Sequence, residues 1–269
     1  MFRSEGDRLS QVVVCTPKSE YFNISNLYEH NILQIAKNDK AIQQHDKLKL
    51  ILQDFGCKVI DIPELANHPN SVFTRDTSLC TPKGYIKLRM GLNSRMGEEN
   101  WMADILNSLG ETYAGSIEFP GTVEGGDVIL TDTVAFVGHS QRTNSYGVEQ
   151  ISNLLESMKY EVRSISVPSP FLHLGGAMSI IGKNLVLSCQ GVFPEDFFKG
   201  FKKIEISNDT FVSGNVIYPG NNEVIINIKN IEVIKKLKQF KMIVHTIDLS
   251  EFIKGNGGPS CLIMPIERK

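Results

Sequence analysis

Internal repetition restricts the fold of this 269-residue chain more than any other feature. Two short strands, a helix and a third strand follow one another, and the same order then recurs. One round reads SVFTRDTSLCTP (71–82), GYIKLR (84–89), a helix over 98–109 and ETYAGSIEFP (111–120). The next reads VEGGDVILTD (123–132), TVAFVGHS (133–140), a helix from Asn144 to about Lys159, and YEVRSISVP (160–168). Then come LHLGGAMSIIG (172–182), NLVLSC (184–189), a short helix near PEDFFKG (194–200) and KKIEISN (202–208). The last full round is GNVIYPG (214–220), NEVIINI (222–228), a helix over 231–239 and MIVHTIDLS (242–250). The first round is partial, with QVVVCTP (11–17), a helix over 29–54 and CKVIDIP (57–63); CLIMPI (261–266) supplies its missing strand. The strands are rich in Val and Ile and bounded by Pro, Gly or Asn. Asn144 suits a helix cap, and the acids in GEE (97–99) suit the positive end of a helix. A fixed period in this range predicts a propeller or solenoid-like array. The expected fold is therefore α/β, a pseudo-symmetric array of five ββαβ units forming one domain over residues 1–269.

Once per round a polar residue stands on the first strand, where an apolar one is expected. These residues are Asp76, Glu124, His173, Asn215 and Cys261, separated by 48, 49, 42 and 46 residues. In a radial array equivalent positions converge on the axis, so residues distant in sequence come to line one pocket. The glycines of GNGGPSC (255–261) let the backbone turn inward at Cys261. Singly, each has a bland reading: a core cysteine, a satisfied core histidine, an Arg75–Asp76 pair, a turn with two acids at EGGD. Their recurrence at one position weighs for a site.

Composition narrows the function. The formal net charge is −2 and the pI about 6.3, with no basic stripe, which argues against a nucleic-acid partner. The densest basic stretch, KNIEVIKKLKQFK (229–241), reads as the solvated face of an amphipathic helix. No apolar run approaches transmembrane length, and the amino terminus MFRSEGDRLS lacks the apolar core of a secretory signal. Five widely spaced cysteines, with no CxxC, are expected as free thiols in a reducing cytosol. No HxH or HxxxH pattern occurs, so no metal is expected. No cofactor is indicated. A homo-oligomer is compatible with the sequence.

A thiol and an imidazole together support nucleophilic catalysis. Carboxylates nearby disfavour a thiolate, and a cationic substrate resolves that conflict. A guanidinium would neutralise the acids and match their oxygens with its planar N–H fork.

HPNSVFTRD (68–76), GTVEGGDVIL (121–130), GHSQRTN (138–144), LHL (172–174) and GGPSCLIMPIER (257–268) resemble, in that order, the guanidine-modifying hydrolases of the pentein fold. That family includes dimethylarginine dimethylaminohydrolases and arginine deiminases. The resemblance covers essentially the whole chain and implies a five-bladed ββαβ propeller. It implies Cys261 as nucleophile on the guanidinium carbon and His173 as acid and then base, with a thiouronium intermediate. Glu124 and Asp76 would hold the guanidinium nitrogens, with Glu124 part of the catalytic set. Arg95 and Arg142 would clamp the substrate carboxylate, Phe73 would line the channel, and Asp127 would support from behind. Asn70 stands where dimethylarginine enzymes usually carry Asp, and Arg75 where they carry Glu. Gly175 replaces both the Asp of arginine deiminases and the usual Lys of dimethylarginine enzymes. Dimethylarginine is the expected substrate on chain length and on the missing carboxylate at 175, with arginine as the alternative. A non-catalytic propeller and an amidino transferase are the remaining readings. KSEYFNISN (18–26) is a candidate lid, and Cys80 and Cys189 are expected to be buried and inert.

Overall fold

In a computed structural model the protein is described over residues 4–269; Met1 to Arg3, part of the amino-terminal segment read above, lie outside the described residues. Among the described residues fifteen strands form five separate three-stranded sheets. The first sheet joins β1 (Leu9–Cys15), β2 (Lys58–Ile62) and the carboxy-terminal strand β15 (Met264–Arg268), in the order β15-β1-β2. The second holds β3 (Ser78–Thr81), β4 (Gly84–Lys87) and β5 (Tyr113–Ser116). The third holds β6 (Val128–Leu130), β7 (Val134–His139) and β8 (Glu161–Ser166). The fourth holds β9 (Met178–Ile180), β10 (Leu185–Cys189) and β11 (Lys202–Ile206). The fifth holds β12 (Ile217–Gly220), β13 (Glu223–Asn227) and β14 (Ile243–Ile247). In each sheet the middle strand pairs antiparallel on one side and parallel on the other. The parallel pair requires a crossover, which is where the helices lie. The chain's two ends meet in one sheet, as the partial first round required.

The crossover helices run Asn38–Asp54, Glu98–Ser108, Ser145–Ser157 and Ile231–Gln239. Two expectations change. The helix of the first unit begins at Asn38, because residues 18–37 form a loop in which Asn31 takes a left-handed φ of 51°. In the fourth unit PEDFFKG is a set of turns, not a helix. There Phe193, Phe197, Phe198 and Phe201 form an aromatic cluster against or beside Phe136 of β7. Ring burial supplies what a helix face supplies elsewhere.

In the middle strands β1, β4, β7, β10 and β13, residues such as Val13, Ile86, Phe136, Leu187 and Ile225 are fully buried. Each such side chain contributes roughly 1.5–3 kcal/mol of transfer free energy. Among the described residues no helix is long and apolar enough to cross a membrane.

Just before the first strand of every unit the chain makes one tight turn closed by an N–H to the carbonyl three residues back. The five bonds are Asp76 to Phe73, Asp127 to Glu124, Gly176 to His173, Asn215 to Val212 and Cys261 to Gly258, at 3.5, 2.9, 3.0, 3.1 and 3.2 Å. The inward polar residues therefore sit on turns entering the strands, not on the strands. They also occupy two tiers. Asp76, Asp127, Gly176, Asn215 and Cys261 share one position of the turn, whereas Glu124 and His173 stand three residues earlier, level with Phe73 and Gly258. A spacing counted over one residue per round conceals this offset.

Asn144 caps the helix Ser145–Ser157: its Oδ1 accepts from the Gly147 and Thr122 amides, and its Nδ2 donates to the Pro120 carbonyl. It thus ties the third unit's helix to the second unit's exit. Asn144→Ala is expected to lower stability by about 1–2 kcal/mol, read as a lower denaturant midpoint at unchanged m-value.

Candidate active site

Glu124 has no exposure to solvent. An ion so placed is tolerable only with full hydrogen-bonding and countercharge. Both of its oxygens accept from Arg142 Nη1 at 3.1 Å, and Oε1 also accepts from the amides of Gly91 and Leu92. Oε2 accepts from His173 Nε2 at 2.8 Å. Burial opposes ionisation, but Arg142, the His173 bond and Arg95 outweigh it and hold this carboxyl far below the usual range.

His173 is 7% exposed. Its other nitrogen, Nδ1, stands 4.0 Å from Asp76 Oδ1. Burial disfavours the imidazolium, yet Asp76, Asp127 and the bond to Glu124 more than offset it and push the ring up to about 9. Gly126 is required here: a Cβ on it would lie 2.8 Å from the imidazole and 3.0 Å from Asp76 Oδ1.

Asp76 accepts from the Gly126 amide and forms a 2.7 Å ion pair with Arg95 Nη1. Arg95 is also bound through Nε and Nη2 to Glu98 Oε2, at 3.0 and 2.7 Å, and reaches the Phe73 carbonyl at 3.1 Å. Its Nη1 is 3.8 Å from Glu124 Oε2. Both arginines expected as a carboxylate clamp thus line the cavity while engaged by the site's own acids. The physical reason is local: acids buried this deeply need cations at contact distance. Glu98, seen in sequence only as a helix-start acid, is the partner that was missed. Burial, resisted by Arg95, raises its carboxyl to about 7.

Cys261 lies on the turn Pro259–Leu262. The Gly258 amide points at Sγ from 3.4 Å, and Asn215 Nδ2 stands 3.8 Å from it. Asn215 holds the turn on both faces: its Oδ1 accepts from Ser260 N at 3.0 Å, and its Nδ2 donates to Ser260 Oγ and to the Gly175 carbonyl. Gly258 permits this, since a Cβ there would lie 2.5 Å from Asn215 Oδ1. Burial first, then Asp76, push the thiol up to about 11, against the lowering effects of the Gly258 amide, Arg75 and Arg95. The other four cysteines are free and buried.

Cys261 and His173 line two adjoining cavities. The front one also holds Asn31, Asn70, Phe73, Asp76, Arg95, Arg142, Leu172 and Asn256. The rear one adds Gly175, Ile129, Met178, Phe211 and Val216, closed by an Arg75–Glu5 pair. Phe73 packs edge-on against Tyr21, and its ring fits only because Gly255 and Gly257 lack side chains. Asp127 accepts from Ser140, Thr143 and the Leu174 amide, so it braces the turn that carries His173. The segment 18–26 is the root of a loop, not its cover: Glu64 accepts the Ser19, Glu20 and Tyr21 amides, and Tyr21 is buried. The mouth is crossed by 29–33, through bonds from Ser94 to the Glu29 carbonyl, Asn70 to the His30 carbonyl and Asn256 to the Asn31 carbonyl, and from the Leu33 amide to the Lys254 carbonyl.

Asp76, Glu124 and His173 each offer one donor atom within 4.8 Å of the others. The arginines already paired with these oxygens make that set better suited to a planar cation than to a metal ion.

Because the thiol is raised to about 11, alkylation of Cys261 by iodoacetamide is expected to be slow at pH 7. Its rate should climb roughly tenfold per pH unit up to about pH 10. A plateau reached by pH 8 would contradict the burial and Asp76 field as its controlling causes.

A family model described as N,N dimethylarginine dimethylhydrolase, eukaryotic, matches residues 17–268. The N(G),N(G)-dimethylarginine dimethylaminohydrolase of Pseudomonas aeruginosa is 29% identical over 223 residues, covering 83% of this chain and 87% of that protein. The arginine deiminase of Pediococcus pentosaceus is 26% identical, over 75% of this chain and 62% of that protein. The structure of a cysteine-to-serine variant of the Pseudomonas aeruginosa enzyme with citrulline superposes with a TM-score of 0.84 at 26% identity, covering 96% of this chain and 99% of that one.

Proposed function

Because this chain belongs to the N,N-dimethylarginine dimethylhydrolase family, hydrolases of an amidine C–N bond, we propose that it cleaves Nω-methylated arginine to citrulline and dimethylamine through a covalent intermediate on Cys261. One observation carries this reading: the thiol and the imidazole line the same cavities, with Glu124 bonded to the ring and Asp76 across from it. A non-catalytic propeller has no use for that convergence.

The resting site holds a neutral thiol beside an imidazolium. A guanidinium bound at Asp76 and Glu124 adds the positive charge that draws the proton off Sγ into water. The thiolate then attacks the guanidinium carbon. His173 gives its proton to the departing dimethylamine as the C–N bond breaks, leaving a thiouronium on Cys261. The neutral ring next takes a proton from a water that attacks the same carbon. The C–S bond breaks, and the ureido product and the thiolate separate. Substrate entry requires Arg95 to give up part of its hold on Asp76, which frees it for the substrate carboxylate alongside Arg142. The domain is taken as the whole chain, working in the cytosol where its five thiols stay reduced.

The rear cavity favours a methylated leaving group. Ile129, Met178, Phe211 and Val216 line it with Gly175, and its one carboxylate, Glu5, is held by Arg75. A dimethylated nitrogen has no N–H to offer a carboxylate, and an unpaired buried acceptor costs about 1–3 kcal/mol. Gly175 supplies none. Arginine as substrate is the second reading, supported by the similarity to arginine deiminases, which extend well beyond this chain.

Purified protein incubated with asymmetric dimethylarginine, monomethylarginine, arginine and agmatine should release dimethylamine and ureido product from the first. Ammonia from arginine with no dimethylamine from dimethylarginine would overturn this substrate. Cys261→Ser should lower kcat by about a thousandfold or more. Gly175→Asp places a carboxyl at the rear cavity, with its Cβ only 3.1 Å from the Gly126 carbonyl. It should cut dimethylamine release by about tenfold and shift the preference toward arginine; an unchanged ratio would sink the rear-cavity argument.

A further inference from the structure

Asn215 belongs to the inward set, yet the proposed reaction gives it no task. It is 2% exposed and lies in the rear cavity beside Ser260 and Cys261. Its partners fix the orientation of its carboxamide. Oδ1 accepts from the Ser260 amide at 3.0 Å, and Nδ2 donates at 3.0 Å to the Gly175 carbonyl, which can only accept. That nitrogen carries two hydrogens, and three acceptors face it. They are the Gly175 carbonyl, Ser260 Oγ at 2.8 Å and Cys261 Sγ at 3.8 Å. The carbonyl takes one hydrogen, and the hydroxyl oxygen and the sulfur compete for the other.

The winner depends on the charge of the sulfur. A neutral thiol is a weak acceptor, so the nearer hydroxyl oxygen holds the hydrogen in the resting site. A thiolate reverses the order, because a hydrogen bond to an ion is roughly twice as strong as one between neutral groups. Ser260 loses little, since its hydroxyl rotates and the residue is partly exposed. The Gly258 amide, 3.4 Å from Sγ, is a second uncharged donor to the same atom. The charged groups around the sulfur oppose one another. Asp76 raises the thiol while Arg75 and Arg95 lower it, Arg75 is itself paired with Glu5, and the protonated His173 lines the same cavity. Against so divided a field, a neutral donor at contact distance acts separately.

We propose that Asn215 stabilises the Cys261 thiolate: Nδ2 keeps its second hydrogen bond on Ser260 Oγ while the sulfur is a thiol, and turns it to Sγ once the proton has left. A donor engaged only by the charged form lowers the cost of making the nucleophile without binding the resting site more tightly. The proposal rests on the hydrolase reading for the use made of that thiolate; the switch of donor is measurable without turnover.

Iodoacetamide labelling of Cys261 at about pH 8, read by peptide mass, tests it on wild type, Ser260→Ala, Asn215→Ala and the double variant. Ser260→Ala removes the competing oxygen but keeps the backbone bond from residue 260 to Asn215 Oδ1. The thiol should then fall by about one pH unit and label about threefold faster, the gain being limited because a less basic thiolate is a weaker nucleophile. A merely structural Asn215–Ser260 bond predicts no such gain. Asn215→Ala should label about threefold more slowly, and in the double variant the gain from Ser260→Ala should vanish. Melting curves check that each variant folds, and the volume-keeping Asn215→Leu takes the place of Asn215→Ala where it does not. Labelling that is not faster in Ser260→Ala, or not slower without Asn215, would overturn the proposal. So would a gain that persists in the double variant, since the alanine then only opens a path to the sulfur. Turnover of dimethylarginine is measured on the same wild-type preparation. The expected labelling pattern without turnover rejects the hydrolase reading alone, and turnover without that pattern rejects this inference alone.

Discussion

The fully enclosed carboxylate of Glu124 is the constraint from which the rest of the site follows. An ion with no contact with water must be met on every side or it would be neutralised. Arg142, His173 and the amides of Gly91 and Leu92 meet it. Each of those partners then imposes its own condition. His173 needs space, which Gly126 provides, and it draws a second acid, Asp76, to its far side. Asp76 in turn holds Arg95, and Arg95 holds Glu98 beneath it. The chain of buried ions crosses from the second unit to the fourth, so its partners come from three separate sheets.

That network also explains the state of the Cys261 thiol. Acids that keep the imidazole charged keep the neighbouring thiol neutral, because the same field stabilises one cation and opposes one anion. A site so arranged is quiet until a cation enters. Under the proposed function discrimination and activation are then one event: the ligand whose charge satisfies Asp76 and Glu124 would be the ligand that makes the sulfur reactive. The two cavities differ in lining: Ile129, Met178, Phe211 and Val216 stand in the rear one with Gly175, and Asn31, Asn70 and Asn256 in the front one.

The five-unit order was legible because alternation of short Val- and Ile-rich strands with helical stretches survives as a local pattern. So was the closure of the first sheet by residues near the carboxyl terminus, since an incomplete first round demands a partner. The inward residues were legible as a set, but their register was not. Glu124 and His173 stand three residues before the position that Asp76, Asn215 and Cys261 take in their turns, and a count of residues cannot distinguish the start of a turn from its end. The helix expected at PEDFFKG was lost to aromatic packing around Phe136, a contact with another unit. Glu98 carried no signal in sequence, because an acid at a helix start is ordinary; only its burial under Arg95 marks it.

By itself the amino-acid sequence determined the number of units, the strand order and which residue types would face the axis, since periodicity and turn chemistry are properties of neighbours along the chain. Tertiary structure alone decided that the arginines bind the site's own acids, that Asn215 holds the turn of Cys261, and that Asn70 Oδ1 is buried without a hydrogen-bond partner. Those outcomes depend on charge and close approach between segments 40 or more residues apart or on the exclusion of water from the axis, and no local pattern encodes either.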